Sequence, residues 1–268
     1  MHAIEMRGRS SSVELARPYR VCAVVPTYDN PMTIERVVGA LLSFVERVFV
    51  VDDAGGEEAQ RAHRRVAAMR GAEVRRRAVN GGKGAAVKDG LAWAWAEGFT
   101  HALQVDADGQ HDLEDVPKML AASRTNPDAL VLGQPLFDAS APLARRWGRL
   151  ISVFWVRLET VGKDGHIADP LCGFRVYPLQ VATQCGASGE RMDFDPEIAV
   201  RIVWHDTPVI NVRTRVVYVP EEEGGISHFD AFWDNVLISL MHARLCILRM
   251  TGLWRLTSGE RLRLDEEH

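Results

Sequence analysis

The chain has 268 residues, 47% of them hydrophobic, enough for one large core or one core with a small appendage. Its 32 basic and 36 acidic residues leave a net charge of −4, which excludes the strong basic surplus of a general nucleic-acid binder. The four cysteines (Cys22, Cys172, Cys185 and Cys246) form no CxxC pair, so neither a disulfide framework nor a zinc site is expected and a reducing, cytoplasmic setting fits.

Residues 1–18 are polar and include Ser10-Ser11-Ser12, so they read as a flexible N-terminal tail and, lacking an apolar stretch, not as a signal peptide. No apolar run approaches the roughly 18 residues that span a bilayer. Val21–Val25 is a short apolar run ended by Pro26, as in a buried parallel strand. A helix is expected over 32–46, a strand over 48–51 and a polar helix over 57–70. A weaker strand over 73–79, a helix over 85–97 and a strand over 102–105 follow. Then come a helix at 117–123 and a strand at 129–132. This alternation argues for an α/β domain with one mostly parallel, Rossmann-like sheet flanked by helices. The second half is less regular: helix 143–160, strand 172–177, helix 195–204 and strands 209–212 and 216–219. From Phe229 to Trp254 apolar residues recur at three- and four-residue steps, an amphipathic helical stripe. The expected organisation is a tail over 1–18, a catalytic domain over 19–228 and a C-terminal amphipathic helical segment over 229–268.

Ligands of open parallel sheets sit beyond the carboxyl ends of the strands. Three such ends here carry polar runs: Pro26-Thr27-Tyr28-Asp29-Asn30, Asp52-Asp53-Ala54-Gly55-Gly56 and Asp106-Ala107-Asp108-Gly109-Gln110-His111. They concentrate negative charge that a divalent cation would offset, and Mg²⁺ or Mn²⁺ prefers such hard oxygen ligands. Asp106 and Asp108 alternate on an extended chain and so point to one side. Taken alone, Asp-x-Asp also suits a polar loop whose aspartate caps a helix. Asp112 is read as such a cap, leading into the helix at Pro117. Asn80-Gly81-Gly82-Lys83-Gly84 is neither a Walker loop nor a dinucleotide fingerprint. It reads either as a backbone approach to a phosphate or as a flexible turn with a solvated lysine.

In combination these motifs, with Asp169-Pro170-Leu171-Cys172-Gly173-Phe174-Arg175, are more specific than any one of them. Over about residues 21–178 the chain resembles the inverting family 2 glycosyltransferases of the GT-A fold, in their dolichol- or polyprenyl-phosphate mannosyl- and glucosyltransferase branch. The resemblance implies that Pro26, Tyr28, Asp29 and Asp53 contact the nucleotide, with Lys83 close by. It implies that Asp106, Asp108 and Gln110 hold Mn²⁺ or Mg²⁺ against the diphosphate of a GDP- or UDP-hexose. Ser227, in Gly224–His228, would belong to a loop closing on the phosphates, although Glu223 and His228 stand where the family has arginine and lysine.

Arg145, Arg146 and Arg149, with Ser152, form a basic cluster that reads as a solvated helix face or, by the resemblance, as the site of a lipid phosphate. Asp169 is a candidate base or acceptor-positioning group, with Asp193, Asp195 and Glu197 as alternatives. Asp108, Asp169 and Arg149 are the expected catalytic residues. His111 and His228 read as structural or as ligands. The helix over 229–254 either packs on the domain or meets a membrane with Arg244, Arg249 and Arg255 at the headgroups. The expected activity is metal-dependent hexose transfer to a lipid-linked, polyprenyl phosphate or other hydrophobic acceptor, with the protein peripheral at the inner membrane face. The rivals are a non-catalytic nucleotide-sugar-binding module and a sugar nucleotidyltransferase.

Overall fold

The computed structural model describes residues 17–136, 143–216 and 233–257. In chain order these form β1 (Val21–Thr27), α1 (Ile34–Leu41), β2 (Val48–Asp52), α2 (Glu57–Ala67), β3 (Ala72–Arg76), α3 (Lys83–Ala96) and β4 (His101–Gln104). A 3-10 turn at Leu113–Asp115 leads into α4 (Val116–Thr125), β5 (Leu130–Leu136) and α5 (Leu143–Glu159). β6 (Arg175–Pro178), α6 (Leu179–Gln184), α7 (Phe194–Trp204), β7 (Val209–Arg215), α8 (Trp233–Thr251) and α9 (Trp254–Thr257) complete the described chain.

Seven strands form one sheet in the order β3-β2-β1-β4-β6-β5-β7. Only β6 runs antiparallel to its neighbours. Alternating side chains explain why the central strands read as unbroken apolar runs, since each strand feeds two cores. Cys22 and Val24 of β1 join a core built from α3, α6, α7 and α8, while Ala23 and Val25 join one built from α1, α2 and α4. β2 divides the same way, with Phe49 on the first side and Val48 and Val50 on the second.

Several expectations shift. The third strand ends at Arg76, before Val79. The strand expected over 172–177 starts only at Arg175, because Pro170, Leu171 and Gly173 belong to a loop. Helix α6, unexpected from the sequence, follows Pro178 directly. β7 is a single strand whose successor Val216 bridges to His111; the strand expected at 216–219 otherwise lies outside the described residues. The C-terminal helix breaks at Gly252, where φ is +73°. Its inner face enters the first core through Ile238, Met241 and Leu245.

Candidate active site

The register places the parallel strand ends side by side. Thr27 of β1 pairs with Asp52 of β2, and Val24 pairs with Gln104 of β4. Because β6 is antiparallel to β4, with Arg175 opposite Gln104, the loop that precedes β6 arrives at this same edge. A cavity of about 290 Å³ opens there, lined by Pro26, Thr27, Tyr28, Asn30, Asp53, Asn80, Gly82, Lys83, Ala86, Asp106, Ala107, Asp108, Arg191, Met192 and Asp234.

Asp53 shapes one wall. Its carboxylate accepts from the backbone N–H of Gly81 (2.9 Å) and Gly82 (2.7 Å) and from Arg77 Nη1 (2.7 Å). The glycine-rich segment is therefore a fixed wall of the cavity. Lys83, at the first position of α3, lies 2.9 Å from both Asp106 Oδ2 and Asp195 Oδ2. Asp29 does not line the cavity; its Oδ1 accepts from Gly56 N at 2.6 Å, and Asn30 takes the lining position.

Asp106 and Asp108 both line the cavity. Burial alone would raise the Asp106 carboxyl, but the Lys83 ammonium and then His111, 3.4 Å away, outweigh it and hold it well below the usual carboxylate range. Asp108 moves the other way, raised by burial and next by the Asp106 charge. Burial would lower Lys83, yet Asp106 and Asp195 hold it above an ordinary lysine. Gln110 donates its backbone N–H to Asp108 Oδ1 at 3.0 Å and is not in the cavity lining. Asp112 caps the following 3-10 turn through Glu114 N, as expected.

Asp106 Oδ1 is buried and has no hydrogen-bond partner. Among the described residues no third carboxylate, histidine or cysteine completes a metal centre with the pair. Two carboxylates with an unsatisfied oxygen on a cavity wall suit a hard divalent cation that takes its other ligands from phosphates and water. The residues present therefore fit Mn²⁺ or Mg²⁺.

Arg175, fully buried, organises the loop before β6. Its Nε donates to Cys172 O (2.6 Å), its Nη2 to Pro170 O (2.7 Å) and its Nη1 to Asp195 O (2.6 Å). This brings Gly173 against the lysine pair: a Cβ there would lie 2.5 Å from Asp106 Oδ2 and 2.7 Å from Lys83 Nζ. Asp169 accepts from Leu171 N (2.9 Å) and pairs with Arg149 Nε (3.0 Å). Neither Asp169 nor Arg149 lines the cavity.

Of the alternative bases, Asp195 is the buried partner of Lys83, and Glu197 is wholly buried among Arg201 (2.6 Å), Arg244 (2.7 Å) and Gly189 N (2.7 Å). Glu197 is thus an internal ion-pair hub. His111 bridges to Val216 and packs on Phe174 at 5.1 Å, so it supports Asp106 from the side. Ser227 and the rest of Gly224–His228 lie outside the described residues, as do the side chains of Arg145 and Arg146. Sequence reasoning quoted Asn30 and Asn80 within their motifs without assigning them a role, and it missed Arg191, Met192 and Asp234, none of which stands in a recognisable motif.

The model of glycosyl transferase family 2 matches residues 22–185, more than half the chain. An undecaprenyl-phosphate mannosyltransferase of Micrococcus luteus is 33% identical over 109 residues, which cover 40% of this chain and 45% of that protein. The chain thus spans under half the length of that relative. A polyprenol monophosphomannose synthase of Mycolicibacterium smegmatis is 27% identical over 185 residues, 65% of this chain and 68% of that one. Among solved structures, glucosyl-3-phosphoglycerate synthase from Mycobacterium tuberculosis in complex with phosphoglyceric acid superposes with a TM-score of 0.62 at 16% identity, covering 85% of this chain and 80% of that one. The same enzyme in complex with Mg²⁺ and uridine diphosphate gives 0.62 at 15%, covering 85% and 79%. These structural matches show the shared GT-A fold.

Proposed function

The chain belongs to glycosyl transferase family 2 and is a glycosyltransferase, and on that premise we propose that it moves a hexose from a nucleoside diphosphate sugar to a polyprenyl phosphate at a membrane surface. The observation that carries this reading is the Asp106–Asp108 pair on the cavity wall, one oxygen of it buried and unsatisfied. Asp106 and Asp108 would hold Mn²⁺ or Mg²⁺. A cation held there supplies electrostatic stabilisation for charge developing on the leaving nucleoside diphosphate. Pro26, Tyr28 and Asn30 offer a surface for the nucleoside, and Asp53 keeps the Gly81–Gly82 wall in place beside it.

A phosphate acceptor is already anionic, so it needs a cation to position it and no base to activate it. Arg149 is the residue for that role, and Asp169, 3.0 Å away, orients its guanidinium. A lipid acceptor is favoured by the outer faces of α5 and α8. Ile151, Phe154 and Leu158 are exposed along one line of α5, with Val161 just past its end, and Trp233, Leu240, Ile247 and Met250 along α8. The two helices are joined by His242 and Glu159 at 2.9 Å and by Arg249 donating to Val161 O at 3.0 Å. Their described acidic side chains, Glu159 and Asp234, are buried, while Arg157 is exposed and Arg244 is half-exposed with its guanidinium paired to Glu197. Exposed apolar stripes flanked by basic groups suit an anionic bilayer. No described helix is long and apolar enough to cross a membrane; the contact proposed is a peripheral one made by these two stripes.

The test is transfer from radiolabelled GDP-mannose, UDP-glucose and their cross-pairs to polyprenyl phosphate in anionic vesicles, with Mn²⁺ and then EDTA. Label in the lipid fraction that EDTA abolishes is the expected result. With 3-phosphoglycerate supplied in a parallel arm, label found only in its water-soluble glycoside would overturn the lipid acceptor, and no transfer from any donor would favour a non-catalytic sugar-nucleotide-binding module.

A further inference from the structure

We propose that Arg191, a residue outside every recognised motif, binds the diphosphate of the donor. This rests on the reading that the cavity takes a nucleoside diphosphate. The cavity is lined by four carboxylates, Asp53, Asp106, Asp108 and Asp234, and by two cations, Lys83 and Arg191. A diphosphate brings further negative charge into that wall, so a cation able to meet it matters.

Lys83 is committed elsewhere. Its ammonium sits 2.9 Å from each of two carboxylates, and its side chain is 17% exposed. Turning it outward would leave the buried Asp195 with only Arg175, 3.9 Å away, beside an already unsatisfied Asp106 oxygen. Arg191 is differently placed. Its side chain is 53% exposed, and its Nε stands 3.6 Å from Asp234 Oδ1, longer than a charge-assisted hydrogen bond. Among the described residues its guanidinium makes no hydrogen bond.

The backbone under Arg191 is nevertheless fixed. Arg191 N donates to Asp193 Oδ1 at 3.0 Å, and Glu190 O accepts from Ala85 N at 2.9 Å. Gly82, with φ +94°, lets this segment lie on the first turn of α3; a Cβ there would meet Arg191 Cγ at 2.9 Å and Glu190 O at 2.6 Å. That turn lines the cavity through Gly82, Lys83 and Ala86, and the positive end of a 14-residue helix favours phosphate. A rigidly based, exposed guanidinium beside a helix N-terminus can take phosphate oxygens in bidentate fashion. Asp234 would serve as its resting partner.

Calorimetric titration with Mn²⁺ tests this, using UDP, GDP and the corresponding monophosphates against the wild type, Arg191→Ala and Arg191→Lys. Arg191→Ala should weaken the preferred diphosphate by about 10- to 100-fold, Arg191→Lys by less, and the monophosphate by no more than about twofold. The unliganded melting temperature should not change; if it falls, Arg191→Gln, which keeps the aliphatic stem, is read instead. Diphosphate binding by Arg191→Ala equal to wild type would overturn the proposal alone, and so would an equal loss of monophosphate. A wild type that binds neither diphosphate would overturn the nucleotide reading with it.

Discussion

Asp106 and Asp108 stand two positions apart and carry their charge differently. Lys83 and His111 keep Asp106 ionised, whereas burial and the Asp106 charge push Asp108 toward its neutral form. The asymmetry depends on how closely the loop before β6 approaches. Gly173 admits the Lys83–Asp106 pair because it has no side chain. Gly173→Ala should therefore push the pair apart, lowering Mn²⁺-supported transfer by more than about tenfold and stability by about 1–3 kcal/mol. Transfer rate and denaturant midpoint, both unchanged, would contradict this. At this scale the sequence was legible where spacing reports geometry. Asp112 caps the next turn as expected, and Asp106 and Asp108 share the cavity, but by a turn at Ala107 and Asp108 and not by alternation along an extended chain, since β4 ends at Gln104. It was illegible where long-range contacts decide: Asp29 turns to Gly56, and Asp195 meets Lys83 from 112 positions away in the chain.

At the scale of elements, one buried carboxylate fastens the strand β7 to the start of α4. Asp115 accepts from Arg215 N at 2.6 Å and pairs with Lys118 at 2.9 Å and Arg215 Nη2 at 3.2 Å. Burial works to raise its pKa, but these bonds outweigh it and the net shift is downward. A carboxyl lowered in the folded state stabilises the protein above its unfolded value, near 3.9, and loses that contribution as pH falls through the folded value. Wild type should then exceed Asp115→Asn by about 1–3 kcal/mol at pH 7, with the gap closing below about pH 4. Urea unfolding across that range measures it; a gap independent of pH would contradict the linkage. The central strands were legible because two-sided burial makes them unbroken apolar runs, and the amphipathic helices because one-sided burial sets a helical period. β6 was misplaced because its loop is as buried as the strand: Cys172 and Phe174 are both core residues, Arg175 holds the Cys172 carbonyl, and nothing local marks where pairing begins. Its antiparallel direction is likewise decided by its neighbours in the sheet.

For the whole molecule, sheet order explains why distant motifs form one site. Parallel β1, β2 and β4 deliver Thr27, Asp52 and Gln104 to one edge, and antiparallel β6 returns the Asp169–Arg175 loop to it. The helix α8 closes the arrangement, with Asp234 in the cavity lining, Met241 and Leu245 in the core and Leu240 and Ile247 outside. Sequence period showed this helix as amphipathic, but which partner each side meets required the fold. In the proposed reaction a divalent cation and a nucleoside diphosphate meet at Asp106 and Asp108. Electron paramagnetic resonance titration of Mn²⁺, with and without UDP or GDP, measures that encounter in the wild type, Asp106→Asn and Asp108→Asn. Tight Mn²⁺ binding should appear in the wild type when the preferred nucleotide is present and be lost in both folded variants. Unaltered Mn²⁺ binding in the variants, or none in the wild type with either nucleotide, would contradict it.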